Sequence, residues 1–166
     1  MKEIQVVINL GGYGYSLFPY TEKTHKHLLP IANKPMLAYV LEKLDNHFFT
    51  DFIFVCNFLN RTTIEYYIKN KFKWSKLERV KCQFYNPENY QDITQVLARL
   101  YYEQIIVKDF LIINGDCLTE CNLNNLVDHH YLNNYAVTSV FKEEVSDQFL
   151  ILDEKEDKLL KIVEKE

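Results

Sequence analysis

Residues 10–35 read LGGYGYSLFPYTEKTHKHLLPIANKP. They follow a short apolar run, Ile4–Leu10, which has the form of a buried parallel strand entering a loop. Gly11, Gly12 and Gly14 let the backbone turn sharply after that strand and approach a ligand closely. A glycine-rich loop at the carboxyl end of a parallel strand is a natural phosphate cradle, because its amides can point inward. The same glycines also suit a tight strand-to-loop turn with no ligand, and spacing alone leaves both readings open.

Outward from this stretch, strand and helix signals alternate. Lys34–Asn46 places Met36, Leu37, Val40, Leu41 and Leu44 on one helical face, with Pro35 suited to the first turn. Asp51–Asn57 reads as a second buried strand, Arg61–Phe72 as a helix and Val80–Tyr85 as a third strand. Thr94–Ile106 has helical spacing, Asp109–Asn114 is a fourth strand closing on a glycine, and Leu123–Leu132 is a short helix. Tyr135–Phe141 reads as a fifth strand. In the tail, Gln148–Asp153 and Lys158–Val163 resemble the arms of a β-hairpin. The expected fold class is α/β: a Rossmann-like parallel sheet flanked by helices, with a C-terminal β-hairpin. Residues 1–166 are read as one domain, and the tail, which stops without a closing element, as the end of a truncated one.

Composition narrows the function classes. A chain of 166 residues that is 48% hydrophobic, with twelve Tyr and eleven Phe, can bury a sheet. A net charge of −4 argues against a broad footprint for nucleic acid or an anionic membrane. No apolar run approaches a membrane span, and the N-terminus lacks a signal-peptide pattern. Cys56, Cys82, Cys117 and Cys121 are scattered, which suits a cytoplasmic chain with reduced thiols. Cys117 and Cys121 lie near His129 and His130 but lack the ligand spacing of a zinc site. His25 and His27 flank Lys26 and read as exposed loop residues. Ser16 with His25 has no third group or oxyanion loop to make a nucleophilic site. Phe48, Phe49, Phe52, Phe54 and Phe58 read as core and strand packing. Tyr66, Tyr67, Tyr101, Tyr102 and Trp74 suit an exposed apolar patch for a partner.

The quoted stretch resembles the opening of the sugar-phosphate nucleotidyltransferases, which runs G-G-x-G-T-R-L-x-P-L-T and then P-K-x-L-L-P-I-x-N-K-P. Gly11, Gly12, Gly14, Leu17, Pro19 and Thr21 match, followed by Lys26, Leu28, Leu29, Pro30, Ile31, Asn33, Lys34 and Pro35. Asn114-Gly115-Asp116 and Val163-Glu164-Lys165 match further along. The resemblance implies a nucleoside triphosphate at Gly11, Gly12, Gly14 and Lys26, with Mg²⁺ at Asp116. For Asp116 the plain alternative is a solvated carboxylate closing the loop before Leu123. The family's second Mg²⁺ ligand lies further along than this chain extends.

Departures from the pattern point away from catalysis. Tyr15 and Ser16 stand where the family has Thr and Arg, and Ser16 cannot supply a cationic fork to a triphosphate. Loss of such electrostatic stabilisation costs several kcal/mol in order of magnitude. The family's small base-recognition segment would fall near Asp92-Ile93-Thr94-Gln95, where Ile93 or Gln95 is bulkier. The run LLPIANKPMLAYVLEKLDNHFFTDFIFV is most similar to gamma-type subunits of translation initiation factor 2B. That resemblance implies a non-catalytic scaffold whose partners are the other subunits of an initiation factor 2B-type complex and initiation factor 2. The alternatives are an active sugar-1-phosphate nucleotidyltransferase of mannose-1-phosphate guanylyltransferase type and a vestigial nucleotide-binding sensor that binds without turnover.

Overall fold

The computed structural model describes residues 4–45, 49–75, 80–87, 92–140, 148–153 and 158–164, the last two segments as backbone. The chain divides into two compact units, residues 1–120 and 121–166. No helix among the described residues is long and apolar enough to cross a membrane.

The first unit is built on β1 (Gln5–Leu10). A two-residue pair follows, β2 (Pro30–Ile31) with β3 (Lys34–Pro35), and leads into α1 (Met36–Asp45). Then come β4 (Asp51–Cys56), α2 (Arg61–Asn70), β5 (Lys81–Tyr85), α3 (Ile93–Tyr102) and β6 (Phe110–Asn114). Four strands form one sheet in the order β5-β4-β1-β6, and each neighbouring pair is parallel. This is the expected α/β sheet.

Apolar side chains on both faces make β1 and β4 the buried centre, as continuous hydrophobic runs require. Val7, Ile53 and Val55 pack with Val96, Leu100 and Ile106, so α3 and the turn after it cover one face. By alternation Val6, Ile8, Phe52 and Phe54 point to the other face, and all four are buried. Trp74 lies 4.9 Å from Phe52, and Phe84 stacks on Phe54 at 5.1 Å. One buried polar residue, Gln5, closes the base of β1. Its amide nitrogen donates to Ile105 O at 3.0 Å and its oxygen accepts from Val107 N at 2.8 Å.

Several boundaries differ from the sequence reading for local reasons. Pro35 lies before α1, because Ala32 and Asn33 both take positive φ and fold Lys34–Pro35 back onto Pro30–Ile31 as a two-residue hairpin. The third helix ends at Tyr102 rather than Ile106, since Gln104 turns left-handed and the amides of Ile105 and Ile106 both donate to Leu100 O. Trp74 is buried and leaves the expected surface patch, whereas Phe58 is exposed and leaves the expected core. Phe48 lies outside the described residues.

In the second unit α4 (Leu123–Leu132) starts at an Asn122 cap that accepts from the amides of Asn124 and Asn125. The expected fifth strand is not formed over residues 135–140, and Phe141 lies outside the described residues. This segment finds no ladder; Val137 is exposed, and Thr138 Oγ1 instead lies 2.9 Å from His130 Nδ1. β7 (Gln148–Asp153) and β8 (Lys158–Glu164) pair antiparallel, while the turn expected between them lies outside the described residues.

Ile53 sits in the centre of the buried sheet. Ile53→Ala should lower unfolding free energy by about 2–4 kcal/mol in urea titration of the full chain. Ile112→Ala, on the half-exposed edge strand, should cost under about 1 kcal/mol in the same assay.

Candidate nucleotide site at the sheet switch point

From β1 the chain builds outward through β4 to β5, then returns to place β6 on the other side of β1. The loops after β1 and β6 therefore diverge at a topological switch point, where parallel α/β sheets form their ligand crevice. All four glycines of the chain lie here: Gly11, Gly12 and Gly14 after β1, and Gly115 after β6.

Side chains from outside the loop hold its carbonyls. Asn60 Nδ2 donates to Leu10 O at 2.9 Å, and Asn57 Nδ2 to Gly11 O at 3.0 Å. His25 Nε2 reaches Gly12 O at 3.0 Å, and Thr21 Oγ1 donates to Gly14 O at 2.9 Å. Asn9 ties the two loops together, with its Nδ2 donating to Asn114 Oδ1 at 3.0 Å and its carbonyl accepting from Gly115 N at 3.0 Å. Asn57 and Asn60 are buried. No sequence signal singled them out; an Asn pair directly after a buried strand is the feature that could have done so.

Lys26 lies along the loop. A Cβ on Gly12 would come within 3.0 Å of Lys26 Cε and Nζ, and one on Gly14 within 2.9 Å of Lys26 Cβ. Gly14 also has φ +75, which an L side chain rarely adopts. On the β6 side, a Cβ on Gly115 would collide with the Leu10 side chain. The glycines thus make room for a lysine and for each other's loops.

Lys26 Nζ reaches across to Asp116 Oδ2 at 2.5 Å. The structure therefore brings Gly11, Gly12, Gly14, Lys26 and Asp116 into one place. Burial opposes the Asp116 charge, but the hydrogen bond and charge of Lys26, with His27 adding less, hold its carboxyl below the ordinary range.

The histidines are not the exposed loop residues the sequence suggested. His27 is 1% exposed, with Nε2 4.0 Å from Asp116 Oδ2 and its ring stacked on His25. Burial, then the neighbouring His25 and Lys26, push the His27 pKa down to about 3. His25 is likewise lowered, chiefly by burial. Both rings are therefore neutral near neutral pH. His25 Nε2 also lies 2.6 Å from Asn60 Nδ2, while the buried Asn60 Oδ1 has no partner. One ring nitrogen cannot donate to Gly12 O and accept from Asn60 at once, so this corner holds competing hydrogen bonds.

Other sequence candidates fall elsewhere. Ser16 is exposed in the 3₁₀ turn Tyr15–Leu17. Asp92 caps α3 by accepting from Thr94 N and Gln95 N, and Ile93 packs on the core while Gln95 is exposed. Glu164 ends β8, and Lys165 lies outside the described residues.

Mg²⁺ takes an octahedron of oxygens, commonly one or two carboxylates completed by phosphates and water. Among the described residues no group of three or more His, Cys, Asp or Glu is placed to hold a metal. Asp116 is shared with an ammonium, and Asn114 Oδ1 already accepts from Asn9. While the ion pair holds, these residues do not fit a resident Mg²⁺.

The His27 shift has a pH consequence. Its folded pKa, about 3, lies below the ordinary 6.5. The unfolded chain therefore binds more protons below pH 6.5, and stability present above that pH is lost as pH falls. Urea titrations between pH 7.5 and 5 should show a loss of up to about 1.4 kcal/mol per pH unit from this group, and His27→Leu should flatten the slope.

The family pattern described as nucleotidyl transferase matches residues 5–165. Bifunctional protein GlmU of Methanococcus maripaludis is 30% identical over 137 residues, covering 82% of this chain and 30% of that protein. Translation initiation factor eIF2B subunit epsilon of Dictyostelium discoideum is 28% identical over 128 residues, covering 76% of this chain and 18% of that one. The chain thus spans less than a third of the length of these curated relatives. Among solved structures, UDP-glucose pyrophosphorylase complexed with UDP-glucose superposes with a TM-score of 0.72 at 20% identity, covering 99% of this chain and 70% of that chain. That likeness is one of fold. With the family pattern running almost from end to end, the chain belongs to the nucleotidyl transferase family.

Proposed function

We propose that this chain is the front part of a nucleotidyltransferase-like domain that transfers no nucleotide. On this reading it serves in the cytoplasm as a scaffold in an initiation factor 2B-type guanine-nucleotide exchange complex. The observation that carries the reading is the position of charge. Gly11–Leu17 contains no cationic side chain, and Lys26 is engaged by Asp116. Phosphoryl transfer depends on preorganised positive charge around the transferring group. A loop whose retained lysine is neutralised by its own carboxylate supplies little of it.

Support for a partner-binding role comes from the same edge of the sheet. Tyr15, Phe18 and Tyr20 on the glycine-loop side, with Phe58 and Leu59 after β4, are all more than 60% exposed. Aromatic residues of this kind are enriched at protein–protein interfaces. The likeness to eIF2B epsilon subunits directs the reading to that complex, and the resemblance of the run LLPIANKPMLAYVLEKLDNHFFTDFIFV favours a gamma-type subunit within it.

An active sugar-1-phosphate nucleotidyltransferase is the second reading. It is favoured by the meeting of the glycine loop, Lys26 and Asp116 at the switch point, and by the GlmU relatives. In it a sugar phosphate oxygen attacks the α-phosphorus of a nucleoside triphosphate and pyrophosphate leaves. Lys26 would have to release Asp116 for both groups to take part.

Calorimetric titration of the chain with GTP, ATP and UTP in Mg²⁺, paired with a pyrophosphate-release assay using hexose 1-phosphates, separates the two. The scaffold reading expects no binding heat at millimolar nucleotide and no release above the uncatalysed background. Micromolar binding of one nucleotide with turnover would replace it by the enzyme.

A further inference from the structure

We infer that the Lys26 ammonium occupies the role of a divalent cation at Asp116, so that this carboxylate keeps a resident, metal-free counter-ion. The inference rests on the ion pair, not on the assembly proposed above. Lys26 Nζ lies 2.5 Å from Asp116 Oδ2, and its stem is packed on Gly12 and Gly14 rather than swinging in solvent. Only 22% of the Lys26 side chain is exposed, so the lysine is held in place along its length.

Every polar neighbour of Asp116 is consistent with that exchange. His27 faces the same oxygen from 4.0 Å, and its stack against His25 fixes the ring. Asn114 spends its oxygen on Asn9. A divalent ion approaching Asp116 Oδ2 would meet an ammonium on the same oxygen, and among the described residues no group of three or more His, Cys, Asp or Glu is placed to hold it. The arrangement also explains the glycines. Gly12 lies against the ammonium end of Lys26 and Gly14 against its Cβ, so both leave space for the whole lysine.

The test is paramagnetic. Mn²⁺ is titrated into the isotopically labelled full chain, and broadening of the Gly115 and Asp116 amide signals is compared with that at the exposed Glu22 and Asp128. In the wild type, Gly115 and Asp116 should broaden no more than those reference sites. Lys26→Gln should strengthen the local Mn²⁺ effect by about tenfold, the scale of repulsion between an ammonium and a divalent ion a few ångströms apart even in water. Adding Asp116→Asn should remove that gain, and Lys26→Arg should keep the ion out. Selective broadening at Asp116 in the wild type would overturn the inference whatever the variants do. So would a folded Lys26→Gln protein with no gain. Neither result bears on assembly, which stands or falls on the nucleotide and turnover assays.

Discussion

An ion pair between Lys26 and Asp116 joins two loops that leave the sheet on opposite sides of its switch point. The residues are 90 apart in sequence. Strand order brings them together: β1 and β6 are neighbours, in register from Gln5↔Phe110 to Asn9↔Asn114. The loops that follow them therefore start side by side. Parallel strands cannot be joined by a tight turn, so the chain must travel through α1, β4, α2, β5 and α3 before it returns. The site is a product of topology before it is a product of side chains.

Around the pair, packing and polar satisfaction work in the same direction. The absence of a Cβ at Gly12, Gly14 and Gly115 allows the β1 loop, the β6 loop and the Lys26 stem to share a small volume. The loop carbonyls turn toward Asn57, Asn60, His25 and Thr21, which meets the demand that buried backbone groups find partners. Burial keeps His27 neutral, so Lys26 and Asp116 form the charged pair of this corner. The Lys26 ammonium and the Asp116 carboxylate offset one another's charge at this corner.

The sheet was largely legible in the sequence. The pattern placed four strands to within a residue or two at each end, and β1 and β4 most plainly, because strands buried on both faces leave no polar alternation to misread. The glycine loop and LLPIANKP identified the family for the same reason that they are structurally tight: few residues fit there. What the sequence could not convey depends on long-range partners. Lys26 was visible as a cation, but its commitment to Asp116 follows from strand order. His27 looked like a loop residue because its neighbours are polar, yet it is closed in beneath the loop. Residues 135–140 have strand-forming side chains without a ladder to join. Trp74 was assigned to the surface because burial against Phe52 is not encoded in its local pattern.

If the ion pair joins the two loops, Lys26 and Asp116 are coupled energetically, not merely close. A double-mutant cycle of Lys26→Met and Asp116→Asn, measured by urea unfolding of the full chain at pH 7, tests it most directly. Because the pair is partly exposed, the predicted interaction is about 1 kcal/mol, with each single variant costing more than its share of the double. Additive costs, agreeing within about 0.3 kcal/mol, would contradict the claim and leave the two loops joined by Asn9 and the glycines alone.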